Sequence, residues 1–202
     1  MPVELLYFTN PMCSWCWGFA PVIEHLTKRR GLPLQLATGQ LGDAARPMRP
    51  QDKATVAEHW HHVTALTGQP FNHAFFDRER FVYDTGPACR ALMTVRDASP
   101  SAAVDYLHRL QKAFYAGNED IRDPAVLERE AVAVGMDGPA FTAAFDDPSA
   151  AARLEAEWRD TAAIGVTGYP TLLALAAGKV TALAVGCRPL ADVEAALDPL
   201  LA

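Results

Sequence analysis

Cys13 and Cys16 are separated by Ser14 and Trp15, the spacing at which one sulfur can attack an external disulfide and the other can resolve the mixed disulfide that forms. The chemistry needs a strand that ends just before the first cysteine and a helix that begins at it. Cys13 then lies at the helix mouth, where unpaired amide N–H groups and the positive end of the helix dipole favour thiolate over thiol. Its pKa is expected below the free value of about 8.5. Cys16, one turn later, is expected to be buried and to remain a thiol until it is needed.

The other reading of a lone C-x-x-C is half of a zinc site. The remaining cysteines, Cys89 and Cys187, are isolated, and no second ligand pair stands near them. Two unrelated buried thiols are disfavoured by the position of the pair at a strand-to-helix junction.

The flanking elements fit. Residues 3–9 (Val-Glu-Leu-Leu-Tyr-Phe-Thr) read as a strand ending at Asn10-Pro11. Cys16, Phe19, Ala20, Ile23 and Leu26 recur at helical spacing, Pro21 should kink that helix, and Gly31 stops it. Leu34 to Thr38 is a second strand, completing a βαβ unit. Residues 41–50 read as loop. Helices follow near 52–67 and 87–97, and three further starts share a capping residue followed by proline: Ser99-Pro100, Asp123-Pro124 and Asp147-Pro148. Thr171–Ala177 and Val180–Val185 form a hairpin about Gly178-Lys179, and Leu190, Val193, Leu197 and Leu200 mark a closing helix. The fold class is therefore α/β. Residues 1–40 and 160–202 should make one sheet with helices on both sides; residues 41–159 should be a helical insertion packed on it.

Two segments carry a resemblance. Asn10-Pro11-Met12-Cys13-Ser14-Trp15-Cys16-Trp17-Gly18-Phe19 and Gly165-Val166-Thr167-Gly168-Tyr169-Pro170-Thr171 together resemble the DsbA-like branch of the thioredoxin superfamily, in particular its cytoplasmic, FrnE-like group. The resemblance extends along the whole chain. It implies a thioredoxin fold, a disulfide oxidoreductase activity, a cis Tyr169–Pro170 bond against the cysteines, and substrate contacts at Tyr169 and Pro170. The group often carries Asp where this chain has Asn10. Strongly oxidising DsbA proteins place a histidine between the cysteines, where this chain has Ser14 and Trp15. Without that cation a less oxidising protein is expected than DsbA itself, whose potential is about −120 mV.

Around the motif, Trp15 is expected to face the site with Ser14, and Phe19 to be core. His59, His61, His62 and His73 complete no metal ligand set, so no metal is expected. Cys89 and Cys187 read as structural thiols; Glu155, Glu157 and Asp160 read as a solvated helix face.

Composition narrows the function classes. The chain has 202 residues, half of them hydrophobic, with a formal net charge of −6 and no basic runs. Nucleic acid and anionic membrane surfaces are not expected partners. The apolar runs are far shorter than a spanning helix of about 20 residues, and the N-terminus lacks the pattern of a secretory signal. A cytoplasmic location is expected. The leading function is disulfide exchange with a protein or small-molecule thiol, without a cofactor beyond glutathione as a thiol co-substrate. The alternatives are a glutathione-dependent isomerase or transferase, like the 2-hydroxychromene-2-carboxylate isomerases and kappa-class transferases, and a non-catalytic peptide-binding module.

Overall fold

The computed structural model describes residues 3–42 and 46–201; Met1 and Pro2 of the N-terminus and part of the 41–50 loop lie outside it. Strand β1 (Glu4–Thr9) leads into α1 (Ser14–Glu24), which continues as a π-helical turn (His25–Arg29) beyond Pro21. Gly31, at φ +64°, ends it, and β2 (Leu34–Thr38) follows. The helical stretch comprises α2 (Pro50–Thr67), α3 (Gly86–Ala98), α4 (Ala103–Tyr115), α5 (Pro124–Val132), α6 (Gly138–Phe145) and α7 (Ala150–Ala163). Strands β3 (Thr171–Ala176) and β4 (Lys179–Val185) and helix α8 (Leu190–Leu201) close the chain.

The sheet order is β2-β1-β3-β4. β1 pairs parallel with β2, while β3 runs antiparallel to both β1 and β4. One hydrophobic core joins sheet residues Leu5, Tyr7, Leu36 and Leu172 to Phe19 and Ile23 of α1, Leu92 of α3, Phe114 of α4 and Leu197 of α8. Phe19, Ile23 and Leu26 are wholly buried, each contributing about 1.5–3 kcal/mol of hydrophobic stabilisation.

Local chemistry sets most boundaries. Asp123 caps α5 by accepting from Ala125 N–H, and Gly68 ends α2 at φ +74°. Three expectations need correction. Ser99 makes no side-chain cap; Pro100–Ala102 is a 3-10 turn before α4. Asp147 bonds Ser149 N–H, so α7 starts two residues later than the Asp-Pro pair. The hairpin turn is Ala177-Gly178, both at positive φ, because Lys179 already pairs with Ala176. Helix α6 had no counterpart in the sequence reading, although Asp137 caps it on Ala140 N–H with Pro139 in its first turn.

Candidate active site

The C-x-x-C pair sits where β1 ends and α1 begins. Asn10 Oδ1 accepts from Met12 N–H at 2.9 Å, forming the turn that delivers Cys13 to the N-cap of α1. Cys13 Sγ accepts from Cys16 N–H at 3.2 Å and faces the carbonyl of Tyr169 at 3.5 Å. The Tyr169–Pro170 peptide bond is cis. Gly186 N–H donates to the Pro170 carbonyl at 2.8 Å, holding this loop to the end of β4.

A cavity of about 390 Å³ opens at Cys13. Ser14, Trp15 and Tyr169 line it, whereas Cys16 and Pro170 lie buried behind. Asp52, Val56 and His59 of α2 form part of the opposite wall, with Leu41, Met48 and Tyr83. The α2 residues recur at i, i+4 and i+7, a spacing that marks one helix face; nothing local to Met48 or Tyr83 announces their place. Tyr83 Oη donates to the Met12 carbonyl at 2.5 Å. Asn10 Nδ2 reaches the carbonyl of Gly39 and Thr85 Oγ1, so this side chain is fully satisfied.

Burial changes the electrostatics expected of Cys13. It pushes the Cys13 thiol well up, the neighbouring Cys16 adds to that, and the amides of Cys16 and Trp15 only partly offset it. For Cys16 burial also opposes ionisation. Hydrogen bonds from Cys13, the Thr9 hydroxyl, Asn10 N–H and the Tyr7 hydroxyl nonetheless hold it below the ordinary thiol value. Burial thus works against ionisation at Cys13, and the hydrogen bonds around Cys16 favour it there, the reverse of what the helix mouth alone implies.

The remaining singled-out residues are elsewhere. Phe19 is core, 6.2 Å from the Tyr7 ring. Cys89 packs with Met93, Ala150 and Leu154, and Cys187 is half-buried against the main core. His61 and His73 stack at 4.6 Å, and His59 faces the cavity. Glu157 is not on a solvated face: it accepts from Thr38 N–H and Oγ1 and pairs with Arg96, tying α7 to β2.

A DSBA-like thioredoxin domain family model matches residues 4–198. The chain belongs to this family. The family is generally one of oxidoreductases, and among solved structures the chain is similar to two such proteins over nearly its full length. A Nitrosomonas europaea protein, provisionally described as a protein disulfide isomerase, is 34% identical with a TM-score of 0.89, covering 100% of this chain and 98% of that one. The cytosolic disulfide reductase DsbM from Pseudomonas aeruginosa is 27% identical with a TM-score of 0.82, covering 98% of each chain, and has also been solved with GSH. The ClpXP adapter protein SpxH of Bacillus subtilis is 23% identical over 85% of this chain. The chain spans 58% of that relative's length. Among the described residues no helix is long and apolar enough to cross a membrane.

Proposed function

We propose that this DsbA-family protein is a cytoplasmic thiol–disulfide oxidoreductase that exchanges electrons with protein or low-molecular-weight disulfides, glutathione disulfide among them. The observation that carries this reading is the Cys13 sulfur at the cavity wall, bonded at 3.2 Å by the N–H of a wholly buried Cys16. In this reading residues 1–40 and 160–202 supply the redox unit, and the helical insertion of residues 41–159 supplies the facing wall.

In the reducing direction, Cys13 thiolate attacks one sulfur of the substrate disulfide. The substrate S–S bond breaks, and the leaving thiolate takes a proton. Cys16 then attacks Cys13 Sγ and expels the second substrate thiolate. Two electrons leave the protein dithiol, and a Cys13–Cys16 disulfide remains for a donor thiol such as glutathione to reduce. The backbone of Tyr169, 3.5 Å from Cys13 Sγ, is placed to contact the substrate chain beside the exchanging sulfurs; Ser14 and Trp15 flank it. The similarity to DsbM supports glutathione as the small thiol.

The test is reduction of insulin and of glutathione disulfide by wild type, Cys13→Ser and Cys16→Ser. Wild type turns over, Cys13→Ser is inactive, and Cys16→Ser accumulates a mixed disulfide. Equal activity in wild type and Cys13→Ser would remove Cys13 from the mechanism. Glutathione-dependent turnover that does not need Cys16 would instead identify an isomerase or transferase.

A further inference from the structure

Two acceptors compete for one amide at the start of α1. In a helix that began one residue earlier, the Met12 carbonyl would accept from Cys16 N–H, the amide four residues on. Instead Cys13 is the extended N-cap, at φ −92° and ψ 112°, and Cys16 N–H donates to Cys13 Sγ at 3.2 Å. The Met12 carbonyl accepts from Tyr83 Oη at 2.5 Å. The N–H of the same peptide, that of Cys13, donates to the Asn10 carbonyl at 3.0 Å. The peptide that carries the sulfur is thus held at both ends.

Tyr83 belongs to the helical insertion, just ahead of α3. Its ring lies edge-on to Phe81 and Phe114, with centroids at 6.0 and 6.3 Å, and lines the cavity at Cys13. Close by in the chain, Thr85 Oγ1 accepts from Asn10 Nδ2 at 3.1 Å and donates to the Leu41 carbonyl at 3.3 Å. The segment Tyr83–Thr85 therefore grips the Asn10–Cys13 turn at two points. Met12 is wholly buried, so loss of the Tyr83 hydroxyl would strand its carbonyl without water, which is costly. Cys16 N–H is the donor that helical geometry then offers it.

We propose that Tyr83 is a positioning residue for the nucleophile: by occupying the Met12 carbonyl it leaves the Cys16 N–H to the Cys13 sulfur. The proposal rests on the reading of Cys13 as the attacking thiol and deepens it, giving the insertion a part in setting that thiol's reactivity. The titratable groups around Cys13 are Cys16 on its own helix, Tyr7 on β1, Tyr115 on α4, Tyr169 before β3, and Tyr83 itself. Arg46, Asp52 and His59 stand across the cavity. Tyr83→Phe alters none of their charges, because burial holds the Tyr83 phenol protonated near neutrality.

The test follows iodoacetamide alkylation of Cys13 across pH by mass spectrometry, since only the thiolate reacts. Tyr83→Phe keeps the ring in the cavity wall and should slow alkylation near neutrality about tenfold, with the pH midpoint about one unit higher. Tyr106→Phe is the control: its hydroxyl donates to the Leu127 carbonyl at 3.0 Å, on the α4–α5 side. It should lower the urea midpoint comparably and leave the alkylation profile at wild type. Tyr83→4-aminophenylalanine, which keeps a donor at the para position, should restore the profile. A wild-type profile in Tyr83→Phe overturns the proposal, as does an equal shift in Tyr106→Phe. So does a Tyr83→Phe defect that the para amine leaves in full. A separate measurement with oxidised glutathione keeps the two readings apart. A wild-type protein that forms no mixed disulfide at Cys13 overturns the redox reading, while the alkylation comparison still decides the role of Tyr83.

Discussion

Asn10 Nδ2 donates to the Gly39 carbonyl at 2.9 Å, linking the end of β1 to the end of β2 directly behind the cysteine turn. The same amide donates to Thr85 Oγ1, and the side-chain carbonyl accepts from Met12 N–H. An ionised carboxylate could keep only the last of these roles with good polarity. Asn10→Asp is therefore expected to destabilise the protein by about 2–4 kcal/mol at neutral pH. The folded pKa of the introduced Asp would lie above its unfolded value, because only the protonated form can donate to Gly39. The lost stability should return as the pH falls through that folded pKa. Urea midpoints at pH 7 and pH 5 check the sign: a variant no less stable than wild type at pH 7 removes the role assigned to the Asn10 donors.

Gly39 also fixes the position of Tyr169. A Cβ added there would meet Tyr169 Oη at 1.6 Å, so Gly39→Ala must displace the phenol from its seat and reshape the cavity at Cys13. The ring is only half-buried and can swing. Fold stability should consequently fall modestly, while KM for a disulfide substrate rises several-fold with kcat little changed. In a Tyr169→Ala background the same substitution should have almost no further effect. Additive changes in the double mutant would show that the two residues do not act through this contact.

The Cys13–Cys16 couple should be more reducing than DsbA. Burial disfavours the Cys13 thiolate, and Ser14-Trp15 supplies no cation to restore it. A reduced state that is less stabilised lies at a lower potential. Equilibration with glutathione buffers should give a value well below about −120 mV. A potential that high would require thiolate stabilisation in the reduced pair beyond the amides at Cys13 and the hydrogen bonds at Cys16.

His108 predicts an acid-sensitive step in stability. Its Nε2 is buried without a hydrogen-bond partner. Burial depresses its pKa to about 4, with Lys28 acting in the same direction against Glu24 and Asp105; Arg109 and Lys112 line the same recess. The unfolded chain therefore binds a proton that the folded one resists. Stability is fully present above about pH 6.5 and is lost as pH falls toward about 4, by up to about 3 kcal/mol. Urea denaturation of wild type and His108→Gln across this window measures it. Parallel pH curves for the two proteins would assign the loss to other groups.

The sequence made the strands, the active-site helix and the C-x-x-C motif legible because each is written locally, in apolar period, capping residue or spacing. Asp123-Pro124 marked α5 for the same reason. Asp137-Gly138-Pro139 departs from the Asp-Pro pattern because glycine intervenes between cap and proline, although Asp137 caps α6 in the same way. The last hairpin turns one residue earlier than its Gly178-Lys179 signal, because Ala177, rather than Lys179, adopts positive φ. The charge balance of the cysteines was not legible. Counting helix amides around Cys13 gives the stabilising half of the balance. The opposing half is burial by residues as distant as Tyr83 and Tyr169, and it exists only once the chain has packed.

Trp17 and Gln69 trade hydrogen bonds across the seam between α1 and the end of α2. Trp17 Nε1 donates to the Pro70 carbonyl at 3.1 Å, and Gln69 Nε2 donates to the Trp17 carbonyl at 2.9 Å. Helix α1, which carries the cysteines, and the end of α2, the helix that carries Val56 and His59, are thereby fastened to each other at Trp17. Under the proposed redox reading, the side chains that α2 turns toward the cavity could change while this fastening stays, so substrate range and potential would be free to diverge separately.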